Sequence, residues 1–193
     1  MGTLRDVLSY LEQWKVGGVH KCENGSVLVF NLPKVAPKAY LHDVFRSLDA
    51  SEIELIEVEI ERGMPGWLKG FYGTVNGINL FSCSISIFGL RENFNRDFES
   101  NSCQPFSIRT PNIIERMPFS GDAIFIGSYN WDGSLIYCSG DGSPEIYRTE
   151  RDTFKVLNTW SSLDDFIFQE YNRLLPFFDS QGGEVDEDVP TTP

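Results

Sequence analysis

The sequence has few of the residues on which most metal and catalytic sites depend. Among 193 residues there are two histidines and four cysteines, and no pair of cysteines has the CxxC spacing. The cysteines are Cys22, Cys83, Cys103 and Cys138. This spacing is poor for a zinc site and poor for a disulfide framework in a chain of this length. We therefore predict no metal and reduced thiols, and we expect His20 and His42 on the solvated surface.

Recognisable catalytic motifs are missing as well. The chain has no GxSxG, HExxH or P-loop pattern. A glycine-rich stretch at 139–142 joins two predicted strands, whereas phosphate-binding loops precede a helix. The adjacent acids Asp164 and Asp165 fall at a predicted helix N-terminus, where the helix dipole favours negative charge. General acid and base catalysis needs carboxylates that face one cleft. The sequence thus predicts that the protein is not an enzyme and needs no cofactor.

Basic residues are also scarce, because 16 Lys and Arg stand against 28 Asp and Glu, for a net charge of -12. Affinity for nucleic acid comes mainly from neutralising phosphates, so we predict no nucleic-acid partner and favour a basic protein. No run approaches the roughly 20 apolar residues of a membrane span. The first residues carry charges and lack the apolar segment of a signal peptide. A cytoplasmic location without membrane association is the expectation.

The composition is that of a protein with a packed core, with 41% apolar and 13% aromatic residues. The length suits one domain. The clearest pattern runs from Ala123 to Arg148, where three apolar runs are separated by Asp132-Gly133 and Asp141-Gly142. Asp-Gly between apolar runs is a strong turn signal, so this stretch predicts an antiparallel meander.

Other elements follow from periodicity and end signals. Predicted helices cover 3–14, with a capping box from Thr3 to Asp6, and 38–48, 51–61, 67–76 and 160–178. Apolar and acidic residues alternate at 58–61, so a strand remains the alternative for this part of the predicted helix at 51–61. Predicted strands cover 26–31, 78–90 as one strand or a pair, and 153–157. We expect 91–119 to be a loop with a short helical turn, and the acidic residues 179–193 to be a disordered tail.

Three segments in order resemble the SUKH superfamily, also called the SMI1/KNR4 family. Residues 51–77 are similar to the family's first helix, its proline corner and a second helix that ends in Asn-Gly. Residues 125–138 resemble its strand and Asp-Gly turn, and residues 160–175 resemble its closing helix. The resemblance implies structural roles for Pro65, Trp67, Phe71, Tyr72, Asn76, Gly77, Gly127, Asp132 and Gly133. Met64 before Pro65 departs from the commoner leucine.

The resemblance implies an α+β fold, a mixed and largely antiparallel twisted sheet with helices packed around it. The family domain would span 49–178, with 1–48 as an N-terminal extension packed on the core and 179–193 as the tail. Many bacterial members are immunity proteins that bind and neutralise a cognate toxin without catalysis. The function expected here is to cover the active site of a basic, nuclease-type toxin domain. The alternative is a regulatory scaffold in cell-wall or stress signalling, as in fungal relatives.

A contact surface for such a partner is predicted from charge alone. No Lys or Arg lies between Arg116 and Arg148. Aromatic and acidic residues on loops supply rigid contact area and electrostatic steering. The predicted partner-binding residues are Tyr129, Trp131, Asp132, Asp141 and Glu145. An alternative for Trp131 is that it folds back as a lid on the core, and Trp67 is expected to be a core anchor. The sequence leaves the oligomeric state open.

Overall fold

A computed structural model describes residues 2–115 and 122–193. In these residues nine strands form one open antiparallel sheet whose spatial order is the sequence order. The strands are β1 Val19–Lys21, β2 Val27–Asn31, β3 Tyr40–Val44, β4 Ile78–Leu80, β5 Ile85–Ile87, β6 Ala123–Tyr129, β7 Leu135–Ser139, β8 Ile146–Thr149 and β9 Val156–Trp160. The predicted α+β class is confirmed, and so is the meander of β6, β7 and β8.

The helices occupy the intervals between strand groups. They are α1 Leu4–Tyr10, α2 Ala50–Glu59, α3 Gly66–Tyr72, α4 Phe98–Ser102 and α5 Leu163–Leu174, with 3-10 turns at Leu11–Gly17 and Leu175–Phe177 and a π-helical turn at Thr110–Ile114. The Thr3–Asp6 capping box is confirmed. Helix α2 is confirmed too, although its capping box joins Asp49 and Glu52. No helix in the described part of the chain is long and apolar enough to cross a membrane.

The predicted helix at 38–48 is wrong, because this segment forms strand β3. Its apolar residues fit a helical period, but the main chain pairs on both sides, with Val29 opposite His42 and Asn79 opposite Asp43. Hydrogen-bonded pairing with two neighbouring strands thus outweighs the helical period of the apolar residues. The imidazole of His42 is 0% exposed, so the expectation of a solvated histidine is also wrong.

Most of the core lies between one face of the sheet and the helices. Alternate residues of β6 face it, including Ile124 and Ile126, while Phe125 faces a smaller cluster on the other side. Helix α1 lies against α5, and the main-chain N–H of Leu4 donates to Asp164 Oδ1 at 2.8 Å. The N-terminal residues thus share the sheet and the core with the rest of the chain.

The predicted Asn76-Gly77 helix stop is wrong, because α3 ends at Tyr72 with Gly73 as its C-cap. Asn76 instead joins the chain after α3 to the end of β5. Its side chain accepts from the Leu90 N–H at 2.7 Å and donates to the Leu90 carbonyl at 2.8 Å. Gly77 has φ +89°, and a β-carbon there would meet the Ile87 carbonyl oxygen at 2.4 Å. Only glycine fits this close approach.

The acidic C-terminal residues are folded against the body, which differs from the expected disorder. The Val185 N–H donates to the Phe177 carbonyl at 2.9 Å, and Arg173 donates to the Thr191 carbonyl at 2.7 Å. The guanidinium of Arg148 donates to the carbonyl of Pro193. The buried Arg148 and the partly exposed Arg173 thus bind a segment whose composition alone indicated disorder.

Cys22 and Cys103 form a disulfide with a Cα–Cα distance of 5.9 Å. The expectation of reduced thiols is wrong for this pair and holds for Cys83 and Cys138. Cys22 begins the turn between β1 and β2, and Cys103 caps α4. The pair is separated by 81 positions in the sequence, and only the fold brings it together.

Reduction of this disulfide with a dithiol in metal-free buffer should lower the free energy of unfolding by about 4 kcal/mol, since the bond closes a long loop. Urea titrations of the oxidised and reduced protein measure the difference. The double variant C22A/C103A should match the reduced protein. Equal stability of the oxidised and reduced forms would contradict the expectation.

Candidate functional site

A cavity of about 430 Å³ lies in the described residues where α1, α3 and α5 meet the turn between β7 and β8. Its walls are mainly apolar. Leu4 comes from α1, Trp67 and Phe71 from α3, Pro144 from the turn and Leu163 from α5. Clefts of this size with apolar walls and few polar groups are typical of binding sites. We refer to it as the three-helix cavity.

Local sequence explains why these side chains converge. Pro65 sets the start of α3, so Trp67 and Phe71 fall four residues apart on one face of the helix. Ser162 caps α5 by accepting from the Asp165 N–H at 3.1 Å, which fixes Leu163 and Asp164 at the first turn. Because Asp164 also binds the first residue of α1, it ties two helix N-termini together at the cavity.

Trp67 was expected to be a core anchor, and the structure places it half-buried in the cavity wall. Its indole Nε1 is buried and has no hydrogen-bond partner among the described residues. A buried indole N–H usually finds an acceptor. The indole ring therefore contributes apolar surface to the cavity wall, while its N–H is shielded from solvent.

The turn beside the cavity carries exposed acids. Asp141 accepts from the Ser143 N–H at 2.9 Å, which shapes the turn and leaves the carboxylate in solvent. Glu145 accepts from the Tyr147 hydroxyl at 2.6 Å, and this bond raises the pKa of Tyr147 to about 12. Pro144 lies between these acids and lines the cavity. Negative charge therefore flanks the apolar recess.

The five predicted contact residues do not form one surface. The turn that carries Trp131 and Asp132 lies at the opposite end of β7 from Asp141 and Glu145, about 17 Å away for a strand of this length. Trp131 is 46% exposed and is not a lid on the core. Tyr129 is 1% exposed, so it offers no contact area and we drop it from the proposed surface.

Asp132 is bound to a buried cation. Its Oδ2 lies 2.6 Å from Arg148, which is 3% exposed, and its Oδ1 accepts from the Ser134 N–H at 2.9 Å. Burial alone would raise the pKa of Asp132, but the bonds from Ser134 and Arg148 outweigh it and lower the pKa. Asp132 therefore holds the β6–β7 turn in place and is not free to bind a partner.

Several other residues for which the sequence resemblance implied structural roles lie at constrained points. Tyr72 is fully buried, and its hydroxyl donates to the Phe88 carbonyl at 3.0 Å. Gly127 passes close to β5, since a β-carbon there would meet the Ser86 carbonyl oxygen at 2.5 Å. Gly133 has φ +69° in the turn after Asp132. Tyr72, Gly127 and Gly133 thus occupy packing and turn positions, whereas Trp67 and Phe71 line the three-helix cavity.

A second recess, of about 300 Å³, contains Asp43, Asn79 and Cys83. Burial raises the pKa of Asp43 to about 6, although Asn79 donates to its Oδ2 at 2.9 Å. Burial, aided by the Asp43 charge, raises the pKa of the Cys83 thiol to about 12. The thiol therefore stays protonated near neutral pH, which is the opposite of what a nucleophilic cysteine requires.

The turn that carries Cys83 is strained and held by β3. Phe81, Ser82 and Cys83 all have φ between +51° and +66°, a region that non-glycine residues rarely adopt. His42 Nδ1 accepts from the Phe81 N–H at 3.3 Å, and burial lowers the pKa of His42 to about 3, so the ring is neutral and able to accept. The histidine that sequence reasoning placed in solvent thus fixes a tight β4–β5 connection.

The substitution Asp132→Asn should lower the free energy of unfolding by about 3 kcal/mol at neutral pH, because it leaves the Arg148 guanidinium buried without its counter-ion. Asp141→Asn, the matched change in a solvated turn, should cost less than about 0.5 kcal/mol. Chemical denaturation of both variants measures the difference. Because the pKa of Asp132 is lowered by folding, its stabilisation is present above about pH 4 and is lost as the pH falls through that lowered pKa. Equal costs for the two variants would contradict this assignment.

Comparison with protein-family models finds no match for this chain, and comparison with curated proteins finds none either.

Proposed function

We propose that the protein is a non-catalytic immunity protein of the SUKH type that binds a basic toxin domain and neutralises it by covering the toxin's active site. The proposed contact surface is the three-helix cavity together with Asp141 and Glu145. The ordered motifs support the family assignment, and the α+β architecture is the one the resemblance implies. The proposed binding surface rests on one observation, namely that exposed acidic residues flank the apolar cavity.

The chemistry of the cavity favours binding over catalysis. Of the described residues that line it, one is a carboxylate, Asp164, and its Oδ1 already accepts the Leu4 N–H. A general acid and base pair needs two carboxyl groups with separated pKa values facing one substrate. Mainly apolar walls suit an inserted side chain better than a reacting group.

Binding would combine an apolar anchor with electrostatic steering. A partner side chain that enters the cavity would pack on Trp67, Phe71 and Leu163. The net charge of -12 would attract a basic domain and speed the encounter. Arg5, exposed at the cavity, would meet an acidic or carbonyl group within that partner. The protein would act in the cytoplasm, where a nuclease-type toxin meets its substrate.

Survival of bacteria tests the function directly. The C-terminal domain encoded by the neighbouring reading frame is expressed in a test strain with and without this protein, and survivors are counted. Rescue by this protein is expected. If the neighbouring domain kills cells regardless, the immunity function is contradicted. A growth defect on deletion in cells that lack the toxin would instead favour the regulatory scaffold.

The surface is tested by Gly70→Arg, which should weaken the complex at least about 100-fold and abolish rescue. Gly70 lines the cavity, and a β-carbon there would meet nothing within 4 Å, so the added side chain occupies the recess without strain. Replacing a helical glycine also favours the helix, so folding should not suffer. Calorimetric titration of the toxin domain measures the affinity.

The matched control is Val58→Arg, which adds the same charge at a helical position that is 71% exposed and outside the cavity. This variant should bind and rescue like the wild type. If Val58→Arg lost binding and Gly70→Arg kept it, the contact surface would lie on the outer face of α2 and the proposed surface would be contradicted.

A further inference from the structure

Three potential metal ligands, His20, Cys22 and Cys103, meet where the β1–β2 turn contacts α4, and Glu99 lies beside His20. His20 lies on β1 and Cys22 is the first residue after that strand, and the ligand atoms of both lie close to Cys103. Glu99 and Cys103 are four residues apart at α4, so they lie on the same face of that helix. The motifs H-x-C and E-x-x-x-C are far apart in the sequence. Their side chains come together only because the fold brings the end of β1 to α4.

The ligand atoms of His20, Cys22 and Cys103 all lie within 4.8 Å of one another. His20 Nε2 is 3.4 Å from Glu99 Oε1. Zinc bonds of about 2.1–2.3 Å in a tetrahedron place neighbouring ligand atoms about 3.5 Å apart. His20, Cys22 and Cys103 would have to close slightly around the ion, and the Glu99 side chain, which lies outside this group, would have to turn toward it to become the fourth ligand. Two sulfurs, one imidazole and one carboxylate form a ligand set that zinc accepts.

The surroundings hold these ligands in place. Cys22 and Cys103 are buried at 6% and 0% exposure, beside Leu28 and Phe98. Glu99 Oε2 accepts from the Glu23 N–H at 3.1 Å, and the carbonyl of Cys103 accepts from Asn24 at 2.8 Å. The turn and the helix are therefore joined by hydrogen bonds that do not depend on the sulfur–sulfur bond.

We propose that, when the Cys22–Cys103 disulfide is reduced, this cluster is a zinc site with His20, Cys22 and Cys103 as ligands and Glu99 as the fourth. The site is independent of the three-helix cavity. A dithiol supplies two electrons and two protons, which break the sulfur–sulfur bond to give two thiols, and the dithiol becomes a disulfide. Zinc then displaces the two thiol protons to solvent and binds both sulfurs as thiolates.

Either state would fasten the β1–β2 turn to α4. Disulfides persist in oxidising compartments and are rare in the cytosol, whereas cysteine and histidine clusters bind zinc there. The cluster would thus keep the same connection under both conditions, as a covalent bond when oxidised and as a metal site when reduced. It would hold the segment around α4 against the first strands of the sheet.

The test uses the full-length protein in its two redox states. Protein treated with a dithiol, freed of metal and returned to anaerobic buffer should take up about one Zn²⁺ per chain, measured by elemental analysis after gel filtration. The oxidised protein should take up none. Cobalt in place of zinc should give the intense thiolate-to-metal absorption of a tetrahedral site. A reduced wild type that takes up no metal would overturn the proposal.

Variants assign the ligands. His20→Ala keeps both thiols and should weaken zinc binding at least about 10-fold, while Cys103→Ser should abolish the thiolate absorption. Cys83→Ser leaves the cluster intact and should bind zinc as the wild type does. Uptake that is unchanged in His20→Ala and Cys103→Ser but lost in Cys83→Ser would place the metal elsewhere. Should a ligand variant fail to fold, the comparison of oxidised and reduced wild type still decides.

Discussion

The second half of the structure depends on the contacts made by the buried guanidinium of Arg148. From β8 it donates to Ser134 at 2.9 Å, to Asp132 and to the end of the chain at Pro193, and it lies 4.9 Å from the centre of the Tyr129 ring. A buried cation is costly unless all its donors are used, so each of these partners is constrained by it. One side chain thereby orders a turn, a core aromatic ring and the C-terminal residues.

This constraint also decides which acids remain available to a partner. Asp132 is committed to Arg148, whereas Asp141 and Glu145 bind neighbouring groups in their own turn and keep their carboxylates in solvent. Because these two acids flank Pro144 at the three-helix cavity, charge and apolar surface coincide there. Such a coincidence is what a central anchor surrounded by a polar rim requires. The proposed immunity function rests on this surface and on the sequence resemblance.

Local signals in the sequence predicted much of the fold. The Asp-Gly turns, the Thr3 cap and the apolar face of α5 are decided within a few residues, and they were correct. The features that were missed depend on distant pairing. Strand β3 has a helical period and forms because β2 and β4 flank it; the disulfide joins cysteines 81 positions apart; the cavity draws its walls from three helices. No single stretch of sequence contains these contacts.

The most direct test of the central claim is hydrogen exchange measured by mass spectrometry on the protein alone and mixed with the proposed toxin domain. The account predicts slower exchange on binding in residues 66–74 and 140–145, which border the three-helix cavity. Exchange in the turn at 130–134 should not change. Protection confined to that turn or to the outer face of α2, with the cavity residues unaffected, would contradict the proposed contact surface.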